Sequence, residues 1–212
     1  MMFRMSTGPG PVHRRYFRPV TRDEDDDTER QPDIRCLDRR TVYENPWMTL
    51  TEDVVERRDG STGIYGVVRS RDFSLIVPFD GVHFHLVEQY RYPVEQRLWE
   101  FPQGAVVDPP GLTPREAAAV ELQEEAGLVA DTWTHLGFLH AGYGRSSSGF
   151  DVFLATDLSP VPTSREIEEQ DMRCGTFTED EVWQLISRGL MTDSHSVAAL
   201  AFLDRHMRRV AH

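Results

Sequence analysis

The chain has 212 residues, of which 39% are hydrophobic, and a formal net charge of −12 at pH 7. That length supports one substantial core, and the acidic balance excludes a nucleic-acid polymer as main partner, because no positive field is available to displace counterions. No apolar run approaches the roughly 18 residues that cross a bilayer, so no membrane partner is expected, and the absence of lysine excludes P-loop, Schiff-base and lysine-base chemistry together.

Residues 1–33 read as a disordered tail, and residues 34–212 as the folded domain. The tail mixes Gly8, Pro9, Gly10 and Pro11 with an acidic run from Asp23 to Asp27 and has no apolar periodicity. It contains arginine but no apolar segment of the kind a secretory signal needs, which points to the cytoplasm. Cys36 and Cys174 are the two cysteines; with no CxxC pair they read as reduced thiols rather than zinc ligands.

From Arg39 the texture becomes β-rich. The runs TVYENPWMTLTEDVVER, GIYGVVRS, SLIVPF and VHFHLVEQYRY are divided by Gly, Asp and Pro, including the turn pairs Asp59-Gly60 and Asp80-Gly81. At Thr113 the pattern changes: an N-cap Thr, Pro114 at the first helical position and Glu116 at the capping-box position open a helix through AAAVELQEEA that stops at Gly127. Two further strands follow, THLGFL and FDVFLATDL. A second capping box, Thr178 with Glu181, opens a helix ended by Gly189, and a final amphipathic helix covers roughly 194–209. Strands placed before, between and after helices, without regular βα alternation, favour a mixed-sheet sandwich over a doubly wound parallel fold.

Glu121, Glu124 and Glu125 stand at i, i+3 and i+4, so their carboxylates leave one face of the first helix. Like charges at this spacing repel by about 0.2–0.5 kcal/mol per pair even when exposed. A hard divalent cation, Mg²⁺ or Mn²⁺, removes that repulsion and prefers such oxygen ligands. A lone ELQEE segment also fits a solvated acidic face. The surroundings make the pattern specific: Gly104 in a strand-to-loop segment, the capped helix start, and Gly127-Leu128 after the carboxylates.

These residues resemble the box of the Nudix hydrolases, which runs Gly, five residues, Glu, seven residues, then Arg-Glu-apolar-any-Glu-Glu-any-Gly-apolar. Gly104, Glu121, Leu122, Glu124, Glu125, Gly127 and Leu128 match in order. Val120 stands in place of the family's Arg and Leu112 in place of its first Glu, and the loop from Gly104 to Leu112 is two residues longer. The preceding EQYRYPVEQRLWEFPQG resembles the ADP-ribose pyrophosphatase branch, as does FLHAGYGRSSSGFDVFLATDL, in which Ser148 replaces a usual Glu.

The resemblance implies an α/β/α sandwich with a mixed, partly antiparallel sheet. It implies metal ligation by Glu121, Glu124, Glu125 and the backbone carbonyl of Gln103, phosphate contact by Arg91, and a place for Glu100 at the substrate site. It further implies hydrolysis of a nucleoside diphosphate conjugate, first ADP-ribose or another ADP-sugar, to AMP and a sugar phosphate. Glu121 and Glu125 would then be catalytic, and a homodimer paired through N-terminal strands is expected. A late acidic residue serves as general base or extra metal ligand in some members; REIEEQD offers Glu166, Glu168 and Glu169, with Glu169 preferred among the three, although an exposed acidic linker fits the segment somewhat better.

Trp47 and Tyr143 are candidates to face substrate, Trp47 by stacking on a base or else by a core or dimer contact. His83 and His85, two apart on an expected strand, form a possible zinc pair without an evident third ligand. His195 and His206 have no evident partner. GRSSSG does not fit a nucleophile elbow. The departures at Val120, Leu112 and Ser148 keep a rival open: a nucleotide-binding sensor on the same fold without turnover.

Overall fold

The computed structural model describes residues 33–105, 111–163 and 171–210. The expected tail therefore lies outside the described residues except for Asp33. Strands β1 (Ile34–Glu44), β2 (Met48–Arg57) and β3 (Thr62–Ser70) form an antiparallel meander of their own. Its turns follow from Asn and Asp side chains. Asn45 Oδ1 accepts from the backbone N–H groups of Trp47 and Met48, and Asp59 Oδ1 accepts from that of Ser61.

The rest of the chain builds two more sheets. One holds β5 (Phe84–Arg91) between β6 (Gln96–Glu100) and β10 (Arg173–Phe177), all antiparallel. The other has the order β7 (Gln103–Gly104), β4 (Phe73–Pro78), β9 (Gly149–Pro160), β8 (Leu128–His140). It is mixed: β4 pairs parallel with β9 and antiparallel with β7, and β8 pairs antiparallel with β9.

Alternation along β4 and β9 explains why helices cover both faces of this sheet. Leu75, Val77, Phe150, Val152 and Leu154 face one way, into a core shared with Val182 and Leu185 of α2 (Glu179–Ser187) and Ala199, Leu200 and Leu203 of α3 (Ser194–Val210). Ile76, Phe153 and Ala155 face the other way, against Ala118 and Leu122 of α1 (Pro114–Ala126). The architecture is the expected α/β/α sandwich with a mixed sheet. Among the described residues no helix is long and apolar enough to cross a membrane.

Helix α1 is fixed at both ends. The Thr113 hydroxyl accepts from the Glu116 N–H, and the Glu116 carboxylate accepts from the Thr113 N–H, completing the capping box. At the other end Gly127 adopts a left-handed conformation, φ 65°, and a Cβ there would lie 2.8 Å from Thr163 Cγ2 and 2.9 Å from the Val161 carbonyl oxygen. Both the backbone angle and the close approach exclude a side chain. The inward stripe of α1 is Ala118, Glu121, Leu122 and Glu125, half apolar and half carboxylate.

Two substitutions separate these contributions. Thr113→Ala removes the cap and should destabilise by about 1 kcal/mol, whereas Gly127→Ala forces the left-handed conformation on a Cβ and should cost about 1–3 kcal/mol. Urea midpoints of the two variants check that order.

Candidate active site

Strand β7 and helix α1 meet where the sheet ends. Gly104 lies so close to Glu121 that a Cβ would collide with both carboxylate oxygens. Glu125 Oε2 accepts the backbone N–H of Gln103 at 3.0 Å. Glu121 and Glu125 are buried and Glu124 is half-buried, and none of the three stands without interaction partners. Glu121 and Glu125, one turn apart on α1, are therefore both turned to the Gln103-Gly104 loop.

That loop forms part of the lining of a cleft of about 650 Å³. Phe73, Pro93, Val94 and Leu98 give it an apolar wall, and Arg91, Glu100, Gln103, Asp193 and His195 supply polar groups. Arg91, at the end of β5, donates to Glu100 Oε2 from Nε at 3.1 Å and to Oε1 from Nη2 at 2.5 Å. Gln89 Nε2 donates to the same Oε1 at 2.6 Å. Burial pushes the Glu100 carboxyl above its ordinary value, more than Arg91 draws it back. For Arg91 the balance reverses: burial opposes the charge, but Glu100 outweighs it and holds the guanidinium above its ordinary value.

Asp193 and His195 line this cleft, a role that sequence reasoning did not assign to them. Asp193 caps α3: its Oδ2 accepts from the Ser196 N–H at 2.8 Å and from the Ser196 hydroxyl at 2.7 Å. It also accepts from Gln103 Nε2 at 2.9 Å, and His195 Nδ1 lies 3.0 Å from Oδ1. The His195 ring packs edge-on against Phe73 and Phe150. The signal that would have found the pair is the Asp-Ser start of a helix, a cap pattern that also opens many ordinary helices.

Other expected residues lie elsewhere. Trp47 is 71% exposed in the turn before β2 and Tyr143 is 86% exposed in the loop between β8 and β9, so neither lines the cleft of a single chain. Glu166, Glu168 and Glu169 lie outside the described residues. His83 does not share a strand with His85, because β5 begins at Phe84. Asp80 Oδ1 accepts from the N–H groups of Val82 and His83 and folds that segment into a turn.

The donor set suits a hard divalent cation. Glu121, Glu125 and the Gln103 carbonyl offer oxygen donors of the kind such a cation prefers, and the missing Cβ of Gly104 lets the loop approach the Glu121 carboxylate closely. Among the described residues no three His, Cys, Asp or Glu side chains are already gathered as a metal cage.

The Asp193–His195 contact sets a testable titration. The hydrogen bond to Asp193 outweighs burial and raises the His195 pKa above its ordinary 6.5. Burial would raise the Asp193 carboxyl, but hydrogen bonds from His195 and Ser196 prevail and hold it well below the usual carboxylate range. The stability supplied by protonated His195 is thus present below pH 6.5 and lost as pH rises through its elevated folded value. In Asp193→Asn, which keeps a competent helix cap, the His195 imidazole resonance should titrate at lower pH than in the wild type by NMR.

Comparison with known proteins matches this geometry to a family. Residues 34–68 match the nucleoside diphosphate sugar hydrolase N-terminal domain, and residues 69–197 match the NUDIX domain. The ADP-ribose pyrophosphatase of Mycobacterium tuberculosis is 33% identical over 171 residues, covering 79% of this chain and 82% of that protein. ADP compounds hydrolase NudE of Escherichia coli is 30% identical over 126 residues, 58% of this chain and 67% of that one. A crystal structure of an ADP compounds hydrolase shares the fold, with a TM-score of 0.74 at 22% identity over 84% of this chain and 95% of that chain. The NUDIX match takes in more than half of the sequence and includes β7, α1 and the Arg91–Glu100 pair, and the chain belongs to the Nudix hydrolase family.

Proposed function

We propose that this hydrolase cleaves the pyrophosphate of ADP-ribose or a closely related ADP-sugar, releasing AMP and a sugar phosphate. The observation that carries the reading is the Glu121 and Glu125 pair held against Gly104 and Gln103, two residues that also line a cleft whose polar wall includes Arg91. The naming of relatives as ADP-ribose pyrophosphatase and ADP compounds hydrolase supports the substrate class.

Glu121, Glu124, Glu125 and the Gln103 carbonyl would hold Mg²⁺ or Mn²⁺. When bound, the cation supplies charge neutralisation on the pyrophosphate and acidifies water for attack on phosphorus. Arg91 binds and orients the pyrophosphate with its guanidinium, and buried Glu100 aims that guanidinium. The apolar wall of Phe73 and Leu98 excludes bulk water from the reacting bond. Water adds to one phosphorus, the bridging P–O bond breaks, and the proton lost from water passes to a carboxylate. Glu169 is our choice of proton acceptor.

A homodimer completes the reading. Every residue of β1 is exposed, and the meander presents Ile34, Leu37, Val42, Tyr43 and Trp47 to solvent, an apolar surface that a second copy would cover. Trp47 and Tyr143 then become available to a base bound near the partner. A reducing, cytoplasmic setting suits Cys36 and Cys174, two exposed cysteines outside any disulfide.

Phosphate released from ADP-ribose by coupled phosphatase tests the activity. Chelation should abolish release and Mg²⁺ or Mn²⁺ restore it, while Glu125→Gln should lose about 100-fold or more in kcat; equal release by both proteins rejects the proposed centre. Light scattering during gel filtration should give twice the chain mass, and Leu37→Glu with Val42→Glu should return the monomer.

A further inference from the structure

Gln103 has three polar groups with three different fates. Its backbone N–H goes to Glu125 and its side-chain Nε2 to Asp193. Its side-chain oxygen, Oε1, is buried and has no hydrogen-bond partner. The amide cannot simply be turned over, because that would set oxygen against the Asp193 carboxylate. Native structures seldom leave a buried acceptor unpaired unless a water, an ion or a ligand completes it.

Bulk water does not reach this oxygen, yet Gln103 is part of the cleft wall. The neighbouring polar groups are already committed. Arg91 and Glu100 pair with each other, and Asp193 accepts from Gln103 and Ser196 and contacts His195. Among the described residues, the Gln103 oxygen is a buried acceptor without a partner on a residue of that wall.

We infer that the side chain of Gln103 is a specificity-determining group: clamped by Asp193, it accepts a hydrogen bond from an O–H that arrives with the ligand. This rests on the functional reading above. Two sources carry that chemistry, a sugar hydroxyl of the substrate and a water carried by the cation. The inference concerns the side chain alone and is independent of the backbone carbonyl.

Gln103→Met keeps the length and removes both polar ends. Mn²⁺ binding is read by electron paramagnetic resonance without nucleotide. Binding of ADP-ribose, and of analogues each lacking one ribose hydroxyl, is read by calorimetry with Ca²⁺. If a sugar hydroxyl is the donor, the variant binds ADP-ribose about tenfold more weakly, and the loss vanishes for one analogue. If the donor is cation-borne water, Mn²⁺ binding weakens by a similar factor without nucleotide. A folded variant that binds Mn²⁺ and every analogue as the wild type does overturns this inference alone. A wild type that binds neither probe overturns the functional reading and this inference with it. Should Gln103→Met not fold, the analogue series on the wild type decides: unchanged affinity for every analogue, together with unchanged Mn²⁺ affinity in Gln103→Ala, rejects it.

Discussion

The approach of Gly104 to the Glu121 carboxylate sets the position of everything around the site. Without a Cβ on the loop, helix α1 can press a charged stripe against the end of the sheet, and Glu125 gains the Gln103 N–H in the same movement. Two buried carboxylates on one helix are unfavourable unless hydrogen bonds or cations compensate them. The folding energy that holds them comes from the other half of the stripe, Ala118 and Leu122, packed beneath Ile76 and Phe153. Capping at Thr113 and the left-handed turn at Gly127 then fix the helix along its axis.

The far wall solves the opposite problem. Arg91 must keep a fixed direction while staying able to meet an anion, and a flexible exposed arginine does neither. Glu100, sunk in β6 and held by Gln89 as well, anchors one edge of the guanidinium. Burial raises the Glu100 carboxyl, so the pair depends on Arg91 remaining in place. In the proposed reaction an incoming diphosphate would add negative charge near this pair and near the glutamates, so a cation and Arg91 would be needed together in a chain whose net charge is −12.

What the sequence revealed was set by how local each feature is. Both capping boxes and the stop at Gly127 were legible, because each is decided within a few residues and obeyed by the structure. The glutamate face was legible from helical spacing, and its significance came from Gly104 and the residues leading to it. Asp193 and His195 were not legible as site residues. Asp193 meets Gln103 across 90 positions, through the docking of α3, and no local pattern encodes that contact. The histidines at 83 and 85 do come together, but on a turn carboxylate: Asp80 holds the following backbone, and its Oδ2 lies 3.4 Å from His83 Nδ1 and 3.6 Å from His85 Nε2. Trp47 and Tyr143 were chosen as aromatics near motifs, and proximity in sequence did not bring them to the cleft.

Val120 and Leu112 stand where the Nudix box carries Arg and Glu, and both are half-buried here. Losing one member of such a pair would leave an uncompensated charge near the carboxylates. Losing both to apolar residues removes the charge problem, since exchange of a partly buried ion pair for packed side chains is often neutral in energy. The orienting work then falls to contacts that remain, the Gln103 N–H on Glu125 and the Asp193 clamp on the Gln103 side chain. In this chain the Gln103-Gly104 loop is braced from α3 on one side and α1 on the other, and that bracing keeps Glu121 and Glu125 in place beside the two substitutions.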